Sequence, residues 1–203
     1  MHKTTERVST VRNIPDSPLV FVHIPKTGGM SMTQFLGLEH QTSDHDVPSP
    51  NDVRLGNDYI RFTVVRDPMT RFRSAYRYSV QMAASHPDKL RNVIVNQGLG
   101  HDINDFVEWA ARHPKQVLGY LHFARQCLWI AGARPQIILQ FERLKTEIQI
   151  IRPFLSKSPD IFPHLNASGD IPEMNLEFTE RSFTILSELY RPDLSLLYPR
   201  KAA

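Results

Sequence analysis

Residues 20–36, VFVHIPKTGGMSMTQFL, place one lysine and two glycines between an apolar run and a helix-like pattern. Gly28 and Gly29 let backbone N–H groups approach an anion with no side chain in the way. A helix after them adds its first donors and its dipole. Lys26 brings a full positive charge, Thr27 and Ser31 bring hydroxyls, and Met30 stands between the glycines and Ser31. Together these residues make a phosphate-binding loop. The order is not that of the nucleotide-triphosphate loop G-x-x-x-x-G-K-[ST], in which the lysine follows the glycines. No glycine lies upstream of Lys26 in the loop, and no strand ends in an evident magnesium-binding aspartate, which disfavours a kinase or an ATPase.

A second charged stretch, VRDPMTRFRSAY, occupies residues 65–76. Arg66 sits where an apolar strand pattern stops. Asp67 suits a helix N-cap and Pro68 the first helical position. Arg71 and Ser74 are spaced to share one helix face. Arginine grips phosphate oxygens in a fork, so this stretch suits a second anion. In open parallel sheets ligands lie beyond the carboxyl ends of the strands. Two anion sites at two strand ends point to a ligand with phosphates at two places.

The elements that must position these residues follow from periodicity. The apolar run at 19–24, broken only by His23, reads as a strand buried on both faces, and 60–65 and 136–141 read as further strands. Helical patterns cover 30–38, a stretch from 68 onward, 88–97, 103–112, 116–131, 144–155 and 179–190. Residues 39–57 lose all periodicity and read as a long loop, which in a compact domain is often functional. The alternation of strands and helices predicts an α/β fold: a single P-loop-like domain with a central parallel β-sheet flanked by helices. Residues 1–18 read as a flexible N-terminal arm and 19–203 as the domain.

Composition bounds the rest. A hydrophobic share of 41% and a charged share of 22% fit a globular chain, and a net charge of +3 with a pI near 9.1 suits anionic ligands without indicating nucleic acid. The single cysteine, Cys127, rules out an internal disulfide and a zinc–cysteine site; its neighbours Leu128, Trp129 and Ile130 predict a buried structural thiol. No run of about 18 apolar residues and no leader-like segment occurs, so the expectation is a cytoplasmic protein without a membrane span.

HIPKTGG with a following helix, then FTVVRDPMTRFRSAY, resembles the paired motifs of the PAPS-dependent sulfotransferases; PAPS is 3′-phosphoadenosine 5′-phosphosulfate. The nearest likeness is to carbohydrate enzymes carrying HIPKTGGTS and VRDPxxRxxSxY: the heparan sulfate 2-O and 6-O enzymes, the chondroitin-type enzymes and bacterial relatives. FVEWA at 106–110, HFARQ at 122–126, ILQFERL at 138–144 and LNAS at 165–168 extend it over roughly residues 19–198. The resemblance implies that Lys26, Thr27, Gly28, Gly29, Met30 and Ser31 hold the 5′-phosphosulfate, and that Arg66 and Ser74 hold the 3′-phosphate. Met30 departs from the usual threonine and removes one hydroxyl, while its backbone N–H can still serve.

The implied chemistry is in-line transfer of a sulfuryl group from PAPS to an acceptor hydroxyl, leaving adenosine 3′,5′-bisphosphate, with Lys26 as a catalytic charge and no metal. The acceptor implied is a carbohydrate, and an anionic one is left open. Relatives tend to place a catalytic histidine between the two motifs, which here leaves His45 first, His40 second, and acids such as Glu39 behind them. Asp44 and Asp46 beside His45 would raise its pKa toward working pH. Two other readings stay open: a relative that binds a nucleotide or sulfated ligand without turnover, and a nucleotide-dependent phosphotransferase.

Overall fold

The computed structural model describes residues 11–38, 46–48, 58–83, 88–157, 161–163 and 174–199. Two compact units emerge, one from the described residues of 1–65 and 128–167, the other from those of 66–127 and 168–203. The sequence reading takes 19–203 as one stretch. Composition gives no hint of two units because the chain passes from one to the other at Val65–Arg66, a strand–helix junction with no linker-like residues.

The first unit holds the sheet. β1 (Val11–Asn13), β2 (Leu19–Val22), β3 (Ile60–Val65) and β4 (Ile137–Gln140) lie side by side in that order. β1 is antiparallel to β2, whereas β2, β3 and β4 run parallel. Every residue of β2 is buried, as its unbroken LVFV predicts. Thr63 tolerates burial in β3 because its hydroxyl donates to the Val22 carbonyl at 2.7 Å. β1 falls within the stretch expected to be an arm, and Val11 and Ile14 are buried. Three residues are too few to show an alternating pattern.

α1 (Gly29–Phe35) buries Met32 and Phe35 in one core with Phe21, Phe62, Leu139, Leu144, Ile148 and Ile151. The expected helix at 144–155 is instead α7 (Leu144–Glu147) followed by two 3-10 turns, the second carrying Pro153. Proline cannot supply the amide that a continuous helix needs there.

The second unit is helical. Asp67 caps α2 (Pro68–Met82) by accepting from the Thr70 N–H at 3.0 Å, and Pro68 opens it. α3 (Lys89–Asn96), α4 (Ile103–Arg112), α5 (Pro114–Leu118), α8 (Glu180–Leu189) and α9 (Arg191–Leu197) complete it. Phe72 on α2 meets the rings of Phe106, Phe123 and Tyr190 at 5.1–6.1 Å between centroids. α4 packs on α8, where Glu108 pairs with Arg181. The expected helix at 116–131 is broken: α5 stops at Leu118, turns fill 119–126, and α6 (Cys127–Ala133) starts afresh.

Candidate active site

The loop carrying Lys26 and the two glycines follows β2. Lys26 has φ 69° and Gly28 φ 84°, both left-handed. Glycine is required at 28 on two counts, since a Cβ there would also come within 2.7 Å of the Phe141 ring. Gly29 is needed for a different reason. Its Cβ would fall 1.7 Å from His23 Nε2, so the missing side chain makes room for the imidazole against the start of α1. The same imidazole stacks on Phe21 with centroids 5.6 Å apart.

Thr27 is fully buried, and its hydroxyl donates to the Ile24 carbonyl at 2.8 Å. That bond closes the loop and commits the hydroxyl proton inward; the Thr27 contribution open to an anion is its backbone N–H. Ser31 is buried on the first turn of α1, Lys26 is half-buried, and Met30 is exposed. The groups of this loop whose types suit an anion are the Lys26 ammonium, the Ser31 hydroxyl and the backbone amides around the two glycines.

Arg66 is the first residue after β3. Its Nε donates to the Thr70 hydroxyl at 3.1 Å, which aims the guanidinium along the first turn of α2. Its peptide is gripped by Gln126, which accepts from the Arg66 N–H at 2.9 Å and donates to the Arg66 carbonyl at 2.7 Å. On α2, the Ser79 hydroxyl turns back to a carbonyl of its own helix, while the half-buried Ser74 hydroxyl bonds to no other described residue.

Arg71 departs from its expected place. Its guanidinium is buried and donates to the carbonyls of Ala124 at 2.7 Å and Leu121 at 3.3 Å. Desolvation lowers its pKa, opposed by Tyr190 and Asp193 and reinforced by Arg66. Arg71 is a fold residue, and spacing on a helix face could not tell which arginine turns inward.

A family model described as the Sulfotransferase family matches residues 10–188. The chain belongs to the sulfotransferase family. Its α/β fold with a four-stranded, mostly parallel sheet is the P-loop-like architecture expected of such an enzyme. No curated protein and no solved structure is similar enough to match.

Sulfotransferase chemistry also needs a group to accept a proton from the acceptor, and the candidates His45, His40 and Glu39 lie outside the described residues. Residue Asp46, next to His45, is described: its carbonyl accepts from the Trp129 indole N–H at 3.0 Å. His122 lies beside Tyr78, with ring centroids 5.0 Å apart. Among the described residues no group of three His, Cys, Asp or Glu side chains could hold a metal ion, and no helix is long and apolar enough to cross a membrane. The Cys127 thiol is half-buried, and burial followed by Asp193 pushes its pKa up to about 12, so it is protonated and unreactive at neutral pH. Sequence reasoning placed Gln126 either toward the acceptor or on a solvated face, whereas it is buried against the Arg66 peptide, and it missed Asp193; their partners lie 60 and 67 positions away in the chain.

Proposed function

We propose that this sulfotransferase uses PAPS as donor and a carbohydrate hydroxyl as acceptor. The observation that carries the reading is topological. β2 and β3 are hydrogen-bonded parallel neighbours, and the Lys26 loop and Arg66 follow their carboxyl ends in the chain. Ligand loops belong at such ends. The residues present fit a bisphosphate nucleotide. Lys26 and the glycine-exposed amides suit its 5′ side, and Arg66 with the Ser74 hydroxyl suits a 3′-phosphate. The carbohydrate acceptor follows from the likeness of the two motifs to those of the carbohydrate enzymes.

When bound, the donor supplies a sulfuryl group on a phosphate leaving group. Lys26 would neutralise charge that grows on the leaving oxygen, a stabilisation felt in the transition state rather than the ground state. His45, with His40 as the alternative, would take the acceptor proton, a contribution of ~10²–10⁴-fold by the usual range for general bases.

Calorimetric titration with adenosine 3′,5′-bisphosphate, without magnesium and with 5′-AMP as control, tests the reading. Binding that needs the 3′-phosphate is expected. Equal binding of the two nucleotides would remove PAPS as the donor. A 3′-phosphate-dependent site with no transfer to any carbohydrate would leave the nucleotide assignment standing and remove the acceptor.

A further inference from the structure

Residues 121–127 belong to neither phosphate motif, yet they are held from several sides. Arg71 donates to the carbonyls of Leu121 and Ala124. The Tyr190 hydroxyl donates to the Phe123 carbonyl at 2.6 Å, and Arg125 Nε donates to the Leu189 carbonyl at 3.0 Å. Asp193 on α9 accepts from the N–H groups of Gln126 at 2.8 Å and Cys127 at 2.9 Å, one on each carboxylate oxygen. Gln126 and Asp193 are both fully buried.

The purpose of so much bonding is visible at Gln126. β3 ends at Val65 and α2 begins at Pro68, so Arg66 belongs to neither element. One side chain meets both halves of its peptide: the Gln126 amide oxygen takes the Arg66 N–H and the Gln126 amide nitrogen meets the Arg66 carbonyl. A primary amide is the side-chain group that can donate and accept in this way, as a neighbouring strand would. The Arg66 side chain therefore leaves a backbone fixed by Gln126, which is itself fixed by Asp193.

We infer that Gln126 and Asp193 are positioning residues for Arg66, setting the backbone from which its guanidinium reaches the 3′-phosphate. The inference rests on the nucleotide reading above. Neither residue touches the nucleotide, and each acts only through Arg66. Their effect must then be selective, falling on ligands that carry a 3′-phosphate.

The test is calorimetry on the full chain with adenosine 3′,5′-bisphosphate and with 5′-AMP. It compares wild type, Gln126→Met, which keeps the volume, and Asp193→Asn, which keeps one acceptor oxygen. Gln126→Met should weaken the bisphosphate by roughly tenfold, the scale of one misplaced charged hydrogen bond, and leave 5′-AMP unchanged. Asp193→Asn should show the same selectivity with a smaller loss. In an Arg66→Ala background Gln126→Met should add nothing, because both act through one contact. Equal losses for the two nucleotides, or no loss in a folded variant, would overturn the inference while leaving the nucleotide reading intact. Wild type that does not distinguish the nucleotides would overturn the nucleotide reading itself. Failure of both variants to fold would assign the network to stability alone and overturn the positioning role.

Discussion

Lys26 takes a left-handed backbone, φ 69°, that costs a residue with a Cβ about 1–2 kcal/mol. Glycine would adopt it without strain, and two glycines stand within three positions of it. A lysine at this point brings a charge that glycine would not, which the proposed function uses. Lys26→Gly should leave thermal stability at or near wild type, relief of strain offsetting the flexibility glycine adds to the unfolded chain. Turnover should fall by roughly 10²–10³-fold, the scale for losing one transition-state charge contact, with a much smaller loss of bisphosphate affinity. Steady-state kinetics beside calorimetry reads both, and parallel losses would make Lys26 a simple binding residue. At this scale, residue type carried the legible part: a lysine with two glycines, and an arginine before Asp-Pro, declare charge and backbone freedom in any fold. The Thr27 hydroxyl and the Arg71 guanidinium were not legible: Thr27 turns to a carbonyl three residues back and Arg71 to carbonyls on a distant segment, and residue type alone tells neither from a ligand contact. Gln126 and Asp193 are the same case in reverse: polar residues whose roles are given by distant partners.

Helix α6 shows what an element can do for a loop. A Cβ on Gly132 would lie 1.9 Å from the Pro48 carbonyl oxygen, and the buried Trp129 donates its indole N–H to the Asp46 carbonyl. Both contacts fall on the described segment 46–48, which follows His45 in the chain. The clash in a Gly132→Ala variant is with backbone, so no side chain can swing away from it. Such overpacking typically costs about 1–3 kcal/mol, and Trp129→Phe should cost about 1 kcal/mol for its lost hydrogen bond alone. Urea unfolding measures both. A Gly132→Ala variant as stable as wild type would mean that segment 46–48 shifts at no cost, and α6 would not be its anchor. Among elements, β2, β3, β4 and α2 were legible because apolar strand runs and a capped helix leave strong local patterns, although of β4 only Leu139 is buried. The breaks at 119–126 and after Glu147 were not, since apolar residues at helical spacing also line turns and 3-10 segments packed on a core.

For the whole molecule, the α/β class was legible from three apolar runs separated by helical stretches, whereas the division into two units was not, because it falls at a junction that reads like any strand–helix turn. Each unit carries one buried tryptophan, Trp129 in the first and Trp109 in the second, so each can be followed separately. Arg66 and Ser74 share a unit with Trp109. In a Trp129→Phe background, the Trp109 emission should therefore report the unit that carries the proposed 3′-phosphate site. A ligand present at about 100 times its dissociation constant stabilises the state that binds it by about 2.7 kcal/mol. For a chain of this size each kcal/mol moves the midpoint by roughly 2–4 °C, so adenosine 3′,5′-bisphosphate should raise it by roughly 5–11 °C. Arg66→Ala should remove most of that rise at the same ligand concentration, because a charged hydrogen bond of ~1.5–3 kcal/mol is a large part of the gain. The net charge of +3 adds a weaker, salt-screened attraction for any anionic nucleotide, so raising the ionic strength should trim the rise without abolishing it. A rise that survives Arg66→Ala at high salt would place the 3′-phosphate on other residues of that unit and would detach Arg66 from the nucleotide.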